Sequence, residues 1–270
     1  MITAVRLREA SRSLRGEARP AVLSREMLLV LGVSLGASAV YSVVFLIAKL
    51  TAPTPLAQQT TALNVPQAPE RPILSLVLEL LEIGFGVVPA LLAVHLLNRD
   101  RDWSPSALPV GPRLGLDRRR PWSDLGWGLG LAAAIGIPGL GLYLAAREIG
   151  INTTVSAANL TEWWAGPVLV LAAFGNGLIE EVVVVGYLLT RLDQIGWRVG
   201  TAIAASALLR GTYHLYQGFG AFIGNAIMGL IFALFFLRTR RLWPLILAHT
   251  ILDTVAYLGY TLLRDRVGWL

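Results

Sequence analysis

Glu180 and Glu181 stand side by side in LIEEVVVVGY, inside a run that is otherwise apolar. A single charge at the centre of a bilayer costs on the order of 3 kcal/mol by insertion scales. Such a pair must therefore be neutralised, partnered or used. Other polar groups sit in similar surroundings: Arg210 and His214 in SALLRGTYHLYQGF, Asn225 in IGNAIMG, and His249 and Asp253 in LWPLILAHTILDTVAY. Arg210 and His214 are four residues apart and share a helical face, as do His249 and Asp253. Adjacent residues on an α-helix point about 100° apart, so Glu180 and Glu181 should find different partners. One carboxylate can work at a reacting centre while the other is held by a cation. Peptide hydrolysis needs a base for water, a stabiliser for the oxyanion and a proton for the leaving amine, and this set supplies all three. Glu180, His214, His249 and Asp253 also form a ligand set for a divalent metal such as Zn2+, which makes that ion a candidate cofactor.

The elements that carry these groups are apolar enough to be membrane spans. With 55% hydrophobic and 15% charged residues and a mean hydropathy of +0.61, the 270-residue chain reads as an all-α polytopic transmembrane bundle. Seven runs approach the roughly 20 residues that cross a bilayer: 27–50, 73–97, 124–146, 166–190, 200–217, 219–237 and 243–263. The expectation is about seven spans, within six to eight. The sequence divides into a basic cytosolic tail (1–26), N-terminal spans (27–164), a core holding the polar motifs (165–263) and a C-terminal tail (264–270). The tail before the first run lacks the apolar stretch and cleavage site of a signal peptide.

Absence of cysteine excludes disulfides and thiolate metal sites. The net charge of +6 comes almost wholly from arginine, since Lys49 is the sole lysine. With no base-stacking motif beside it, that excess reports membrane topology and anionic lipid, not nucleic acid. Arginines crowd the N-terminal tail, the 98–123 loop, RLDQIGWR at 191–198 and RTRR at 238–241, whereas 51–72, 147–165 and 217–220 hold few. The alternation places the N-terminus in the cytoplasm. Arginine-rich, lysine-poor usage points to a bacterial cell membrane. Counted from the cytosolic ends at 1.5 Å per residue, Glu180 lies about 16 Å deep, His249 about 12 Å and His214 about 24 Å, which favours a cytosol-facing cavity.

Three motifs, EEVVVV (180–185), RGTYH (210–214) and HTILD (249–253), resemble in order those of the CAAX-protease and bacteriocin-processing (Abi, CPBP) family of intramembrane proteases. The family pattern is a Glu-Glu pair followed four residues later by arginine, then Phe-x-x-x-His, then His-x-x-x-Asn or Asp. The resemblance spans roughly 165–260. It implies an intramembrane endopeptidase in which Glu180 activates water with His214 beside it. His249 and Asp253 would stabilise the oxyanion or hold a metal, and Glu181 would be the anchored neighbour. The implied partners are a peptide or membrane-protein substrate and membrane lipid. Two positions depart from the pattern: Val185 stands where the family has arginine, and Arg210 where it has phenylalanine. Arg210 is therefore expected to replace the missing cation by reaching Glu181 from another helix.

Other readings remain open at this level. The same cluster could lock helices together in a catalytically silent membrane scaffold or bacteriocin-immunity-like protein. A proton-coupled transporter is a weaker fit, because no repeat or pair of broken helices is visible. Glu79 and Glu82 read as groups lining the bundle, His95 as interfacial and Asn225 as an interhelical hydrogen bonder.

Overall fold

The computed structural model describes residues 20–99, 110–156 and 162–263; the extreme N-terminal tail, the centre of the arginine-rich 98–123 loop and the C-terminal tail lie outside them. Proline opens two of the long helices at a position whose N–H has no helical partner anyway: Pro72 begins α3 (Pro72–Gly86) and Pro121 begins α6 (Pro121–Glu148). Before them come α1 (Pro20–Gly32) and α2 (Leu35–Leu50), bent by 53° at their junction. The second apolar run continues from α3 into α4 (Val88–Arg99), and a short α5 (Val110–Arg113) follows. The motif-bearing region begins with α7 (Ala165–Glu180), which passes without a break through a π-helical stretch, Glu181–Tyr187, into α8 (Leu188–Gln194). Then come α9 (Val199–Tyr213), α10 (Phe219–Thr239) and α11 (Trp243–Leu263).

The chain is thus an all-α membrane protein, with four or five candidate spans among the described residues against the seven expected. Among the described residues, four helical stretches are long and apolar enough to cross: Pro72–Arg99, Pro121–Glu148, Ala165–Gln194 and Phe219–Thr239; the bent α1–α2 pair makes a fifth if it is one span. The 15 residues of α9 reach only about 22 Å. The 21 residues of α11 suffice in length, but His249, Thr250, Asp253 and Thr254 dilute their apolar character. Exposed apolar side chains such as Leu28, Leu29, Val40, Ile73, Phe85 and Ile137 form the surface that lipid would cover.

Polar ties gather at the two ends of the bundle. At the arginine-rich end, Arg241 makes a fork to both oxygens of Asp124 (2.6 Å each) and reaches Asp117 at 3.4 Å. Leu242 N–H donates to the Leu114 carbonyl at 2.8 Å, and buried Arg191 donates to Glu26 and to the Leu96 carbonyl, both at 3.2 Å. The Asp117 carboxyl is held below its ordinary value, first by the backbone N–H of Arg119 and then by Arg241. At the opposite end, two three-residue strands absent from the sequence expectation, β1 (Thr60–Ala62) and β2 (Thr154–Ser156), pair in parallel. Lys49 Nζ donates to Thr61 Oγ1 at 2.9 Å, Thr61 and Thr153 hydroxyls lie 2.7 Å apart, and Thr153 donates to the Gln217 carbonyl at 3.0 Å. Gly218 fits here at φ 121°, where an added Cβ would press within 2.6–2.9 Å of Ile151 and Asn152. Between the two ends, Val182–Val185, Phe232, Phe236, Leu242, Leu245 and Ile246 form a tight core on the arginine side of the bundle.

Candidate active site

The Glu-Glu pair falls where α7 gives way to the π-helical stretch. Four successive β-branched valines and Gly186 follow, all buried. A π turn disturbs the regular i→i−4 ladder, and neighbouring hydroxyls donate to carbonyls along it. Ser206 of α9 donates to the Val184 carbonyl at 2.9 Å, and Thr190 donates to the Gly186 carbonyl at 2.6 Å. Gly186 lets Leu242 approach: a Cβ there would stand 2.8 Å from its side chain.

Arg210 comes in from α9 and is fully buried. Its Nη2 donates to Glu181 Oε1 at 2.7 Å and its Nη1 reaches Glu180 Oε2 at 3.4 Å. The guanidinium lies over the Phe232 ring at 5.5 Å, and Gly229 leaves room for its stem, since a Cβ there would fall 3.1 Å from Arg210 Cδ. His249 arrives on α11. Its Nδ1 lies 2.7 Å from Glu181 Oε1, so the ring N–H donates to the carboxylate. Its Nε2 then faces Glu180 Oε2 at 3.8 Å and Asp253 Oδ1 at 3.7 Å. The two glutamates thus share Arg210 and His249 instead of having separate partners, a correction to the expectation from ideal α-helical geometry. A forked guanidinium and a two-nitrogen ring can each serve both carboxylates.

Three contributors carried no sequence signal strong enough to single them out. Tyr213 OH donates to Glu180 Oε2 at 2.7 Å. Asn176 Nδ2 and Tyr257 OH donate to Asp253 Oδ2 at 3.4 and 3.1 Å. Asn176 stands four residues before Glu180 and Tyr257 four after Asp253, so helical spacing from the motif residues is the signal that could have found them. His214 caps α9, with Nδ1 3.0 Å from the Arg210 carbonyl; a carbonyl only accepts, so that nitrogen carries the proton and Nε2 is left for other work. His95 is exposed on α4, away from the cluster.

Glu180, Tyr213, His214, His249 and Asp253 all line one cavity of about 1580 Å³, with Asn176, Glu79, Glu82 and Asn225 further along its wall. Glu181 and Arg210 do not line it. They stand behind the others, at 0% exposure.

A metal has a geometric opening here: Glu180, Glu181 and His249 each offer a ligand atom, all within 4.8 Å of one another. His214 and Asp253, which the sequence placed in the ligand set, are not in that group. Glu181 Oε1 and His249 Nδ1 are engaged with each other, and Glu181 Oε1 also accepts from Arg210, while Glu181 Oε2 is buried without a hydrogen-bond partner and His249 Nε2 faces Glu180 and Asp253. These three residues could hold an ion, although the Arg210 guanidinium already supplies a positive charge beside both carboxylates.

Comparison with known proteins agrees with the motifs. Residues 162–255 match the family described as Type II CAAX prenyl endopeptidase Rce1-like. That segment is similar to the CAAX-protease family, in agreement with the resemblance read from EEVVVV, RGTYH and HTILD. No curated protein and no solved structure matches the chain significantly.

Proposed function

We propose that the protein is an intramembrane endopeptidase in which Glu180 is the general base. The carrying observation is the gap at the inner end of the cavity. Glu180 Oε2 and His249 Nε2 face each other at 3.8 Å, too far for a direct hydrogen bond and a span that one water can bridge. Glu180 takes a proton from that water as its oxygen adds to the substrate carbonyl. The C–N bond then breaks, and the same proton passes from Glu180 to the leaving amine. His249, with its Nδ1–H on Glu181 and flanked by Asp253, acts with a second proton on the ring and donates Nε2–H to the developing oxyanion, and His214 Nε2 helps orient the water. Tyr213 and Arg210 keep the Glu180 carboxylate aimed.

No step here runs through a metal. Chelation should leave cleavage unchanged, and the purified protein should carry no stoichiometric zinc. A chelator-sensitive activity restored by zinc would overturn that part of the reading.

The test of the base is Glu180→Gln, which keeps shape and hydrogen bonding and loses basicity. Cleavage of a quenched peptide library in proteoliposomes should fall by roughly 10²–10⁴-fold with the fold intact. Val185 in place of the family arginine is what favours the other reading, a silent scaffold or immunity-like protein. That reading wins if wild type cleaves nothing and the biological effect survives Glu180→Gln.

A further inference from the structure

From the glutamates the cavity extends mainly toward one end of the bundle. Along α7 its lining residues run from Glu180 back through Asn176, Ala172 and Leu169 to Val168. Along α11 they run forward from His249 to Gly259, and along α10 they lie between Gly220 and Ile231. All three sets lead to the end of the bundle that carries Lys49, β1, β2 and residues 214–218. That end adds Leu63, Asn64, Val65, Val155, Tyr216 and Gln217 to the wall. Towards the opposite end the route is shut. Val183, Val184, Val185, Phe232, Leu242, Leu245 and Ile246 are each at 0% exposure, and the Arg241–Asp124 and Leu242–Leu114 ties close over them.

The closed end carries the arginines: Arg99, Arg113, Arg118, Arg119, Arg120, Arg198, Arg238, Arg240 and Arg241 gather there, against Lys49, Arg71 and Arg147 near the open end. Arginine excess in short loops marks the cytoplasmic side. The sequence expectation is a cytosol-facing cavity; the arginine distribution and the solid packing at the arginine-rich end argue for the other side. Depth counted along straight helices places the residues but not the opening, which depends on which half of the bundle packs solid.

Building on the endopeptidase reading, we propose that the site is served from the extracytoplasmic half of the membrane. Its substrate is a polypeptide whose scissile bond is presented in that half, an exported or membrane-anchored chain and not a cytosolic C-terminus. At about 1580 Å³ the cavity exceeds the roughly 300–1,000 Å³ typical of small-molecule pockets, as an extended peptide requires. Its wall is mainly aliphatic, from α6, α7 and α11, which suits an apolar segment arriving from the outer leaflet. Its ionisable groups are Glu79, Glu82, Glu180, Asp253, His214 and His249 with tyrosines, and it has no lysine or arginine. A segment carrying a basic residue therefore matches it in charge, and a C-terminal carboxylate does not.

The cysteine-free chain permits a direct test. Val65→Cys places a thiol at the open end, where Val65 is 63% exposed and lines the cavity; Arg119→Cys places one at the exposed closed end. Both full-length variants are treated with a membrane-impermeant maleimide in intact spheroplasts and again after lysis. Val65→Cys should label in intact spheroplasts and then lose most of its cleavage of the peptide library. Arg119→Cys should label only after lysis and keep its activity. Labelling of Val65→Cys only after lysis, or full turnover once it is labelled, overturns the proposal. Labelling does not depend on catalysis, so an inactive wild type with the expected labelling would sink the endopeptidase reading and leave the sidedness standing.

Discussion

Removing the cation behind the site is the sharpest test of how it is built. Arg210 and Glu181 are both at 0% exposure and their bond is 2.7 Å, so neither can turn to solvent if the other is lost. Arg210→Met keeps an unbranched side chain of similar reach over Phe232 and leaves Glu181 with His249 alone. Stripping one partner from a buried pair costs about 3–5 kcal/mol. At roughly 2–4 °C per kcal/mol, the melting temperature in detergent should drop on the order of 10 °C. Cleavage should fall as well, because Nη1 also steadies Glu180 at 3.4 Å. Adding Glu181→Gln to Arg210→Met removes the orphaned charge and should recover most of the stability, since replacing a whole buried pair is often near neutral. The assay is thermal unfolding of both variants beside wild type, with cleavage rates measured below the transitions. If Arg210→Met melts with wild type, or the double variant melts no higher than the single one, the ion pair is not what holds the cluster together.

Further expectations follow from the same contacts. Val185→Arg restores the cation at the family's position; it should destabilise the wild type by burying a second guanidinium, yet raise the melting temperature of Arg210→Met. Tyr213→Phe deletes a 2.7 Å bond to Glu180, a charged-acceptor bond typically worth about 1.5–3 kcal/mol, and should lower the cleavage rate while the protein stays folded. Gly229→Ala sets a methyl 3.0 Å from Ala207 Cα and 3.1 Å from Arg210 Cδ; overpacking of this kind costs about 1–3 kcal/mol, visible as a lower melting temperature. Asp117 has its pKa lowered in the folded protein, so its contribution is complete above the unfolded carboxylate value near 3.9 and is lost as pH falls through the depressed folded value. The gap in melting temperature between wild type and Asp117→Asn should accordingly be present at neutral pH and close in strong acid; a gap that persists there would refute the linkage.

What the sequence determined by itself was chemistry and order. Ionisable residues on apolar runs are expensive enough to be conspicuous in one dimension, which is why Glu180, Glu181, Arg210, His214, His249 and Asp253 could all be picked out before any fold was known. Arginine distribution named the ends of the bundle for the same reason. Tertiary structure decided the rest. Glu180 meets Tyr213 across 33 residues and Glu181 meets His249 across 68, distances over which helical periodicity carries no information. The π-helical turn after Glu180 depends on the fit of Gly186 against Leu242 and of Ser206 against Val184, not on local propensity. Of the seven apolar runs, the fifth is the one that falls short in length, because α9 ends at Tyr213, where its polar residues enter the candidate site. The direction in which the cavity opens was the least legible feature. It follows from close packing of Phe232, Leu242, Leu245 and Ile246 on one side of the glutamates, and packing of that kind exists only once the helices have met.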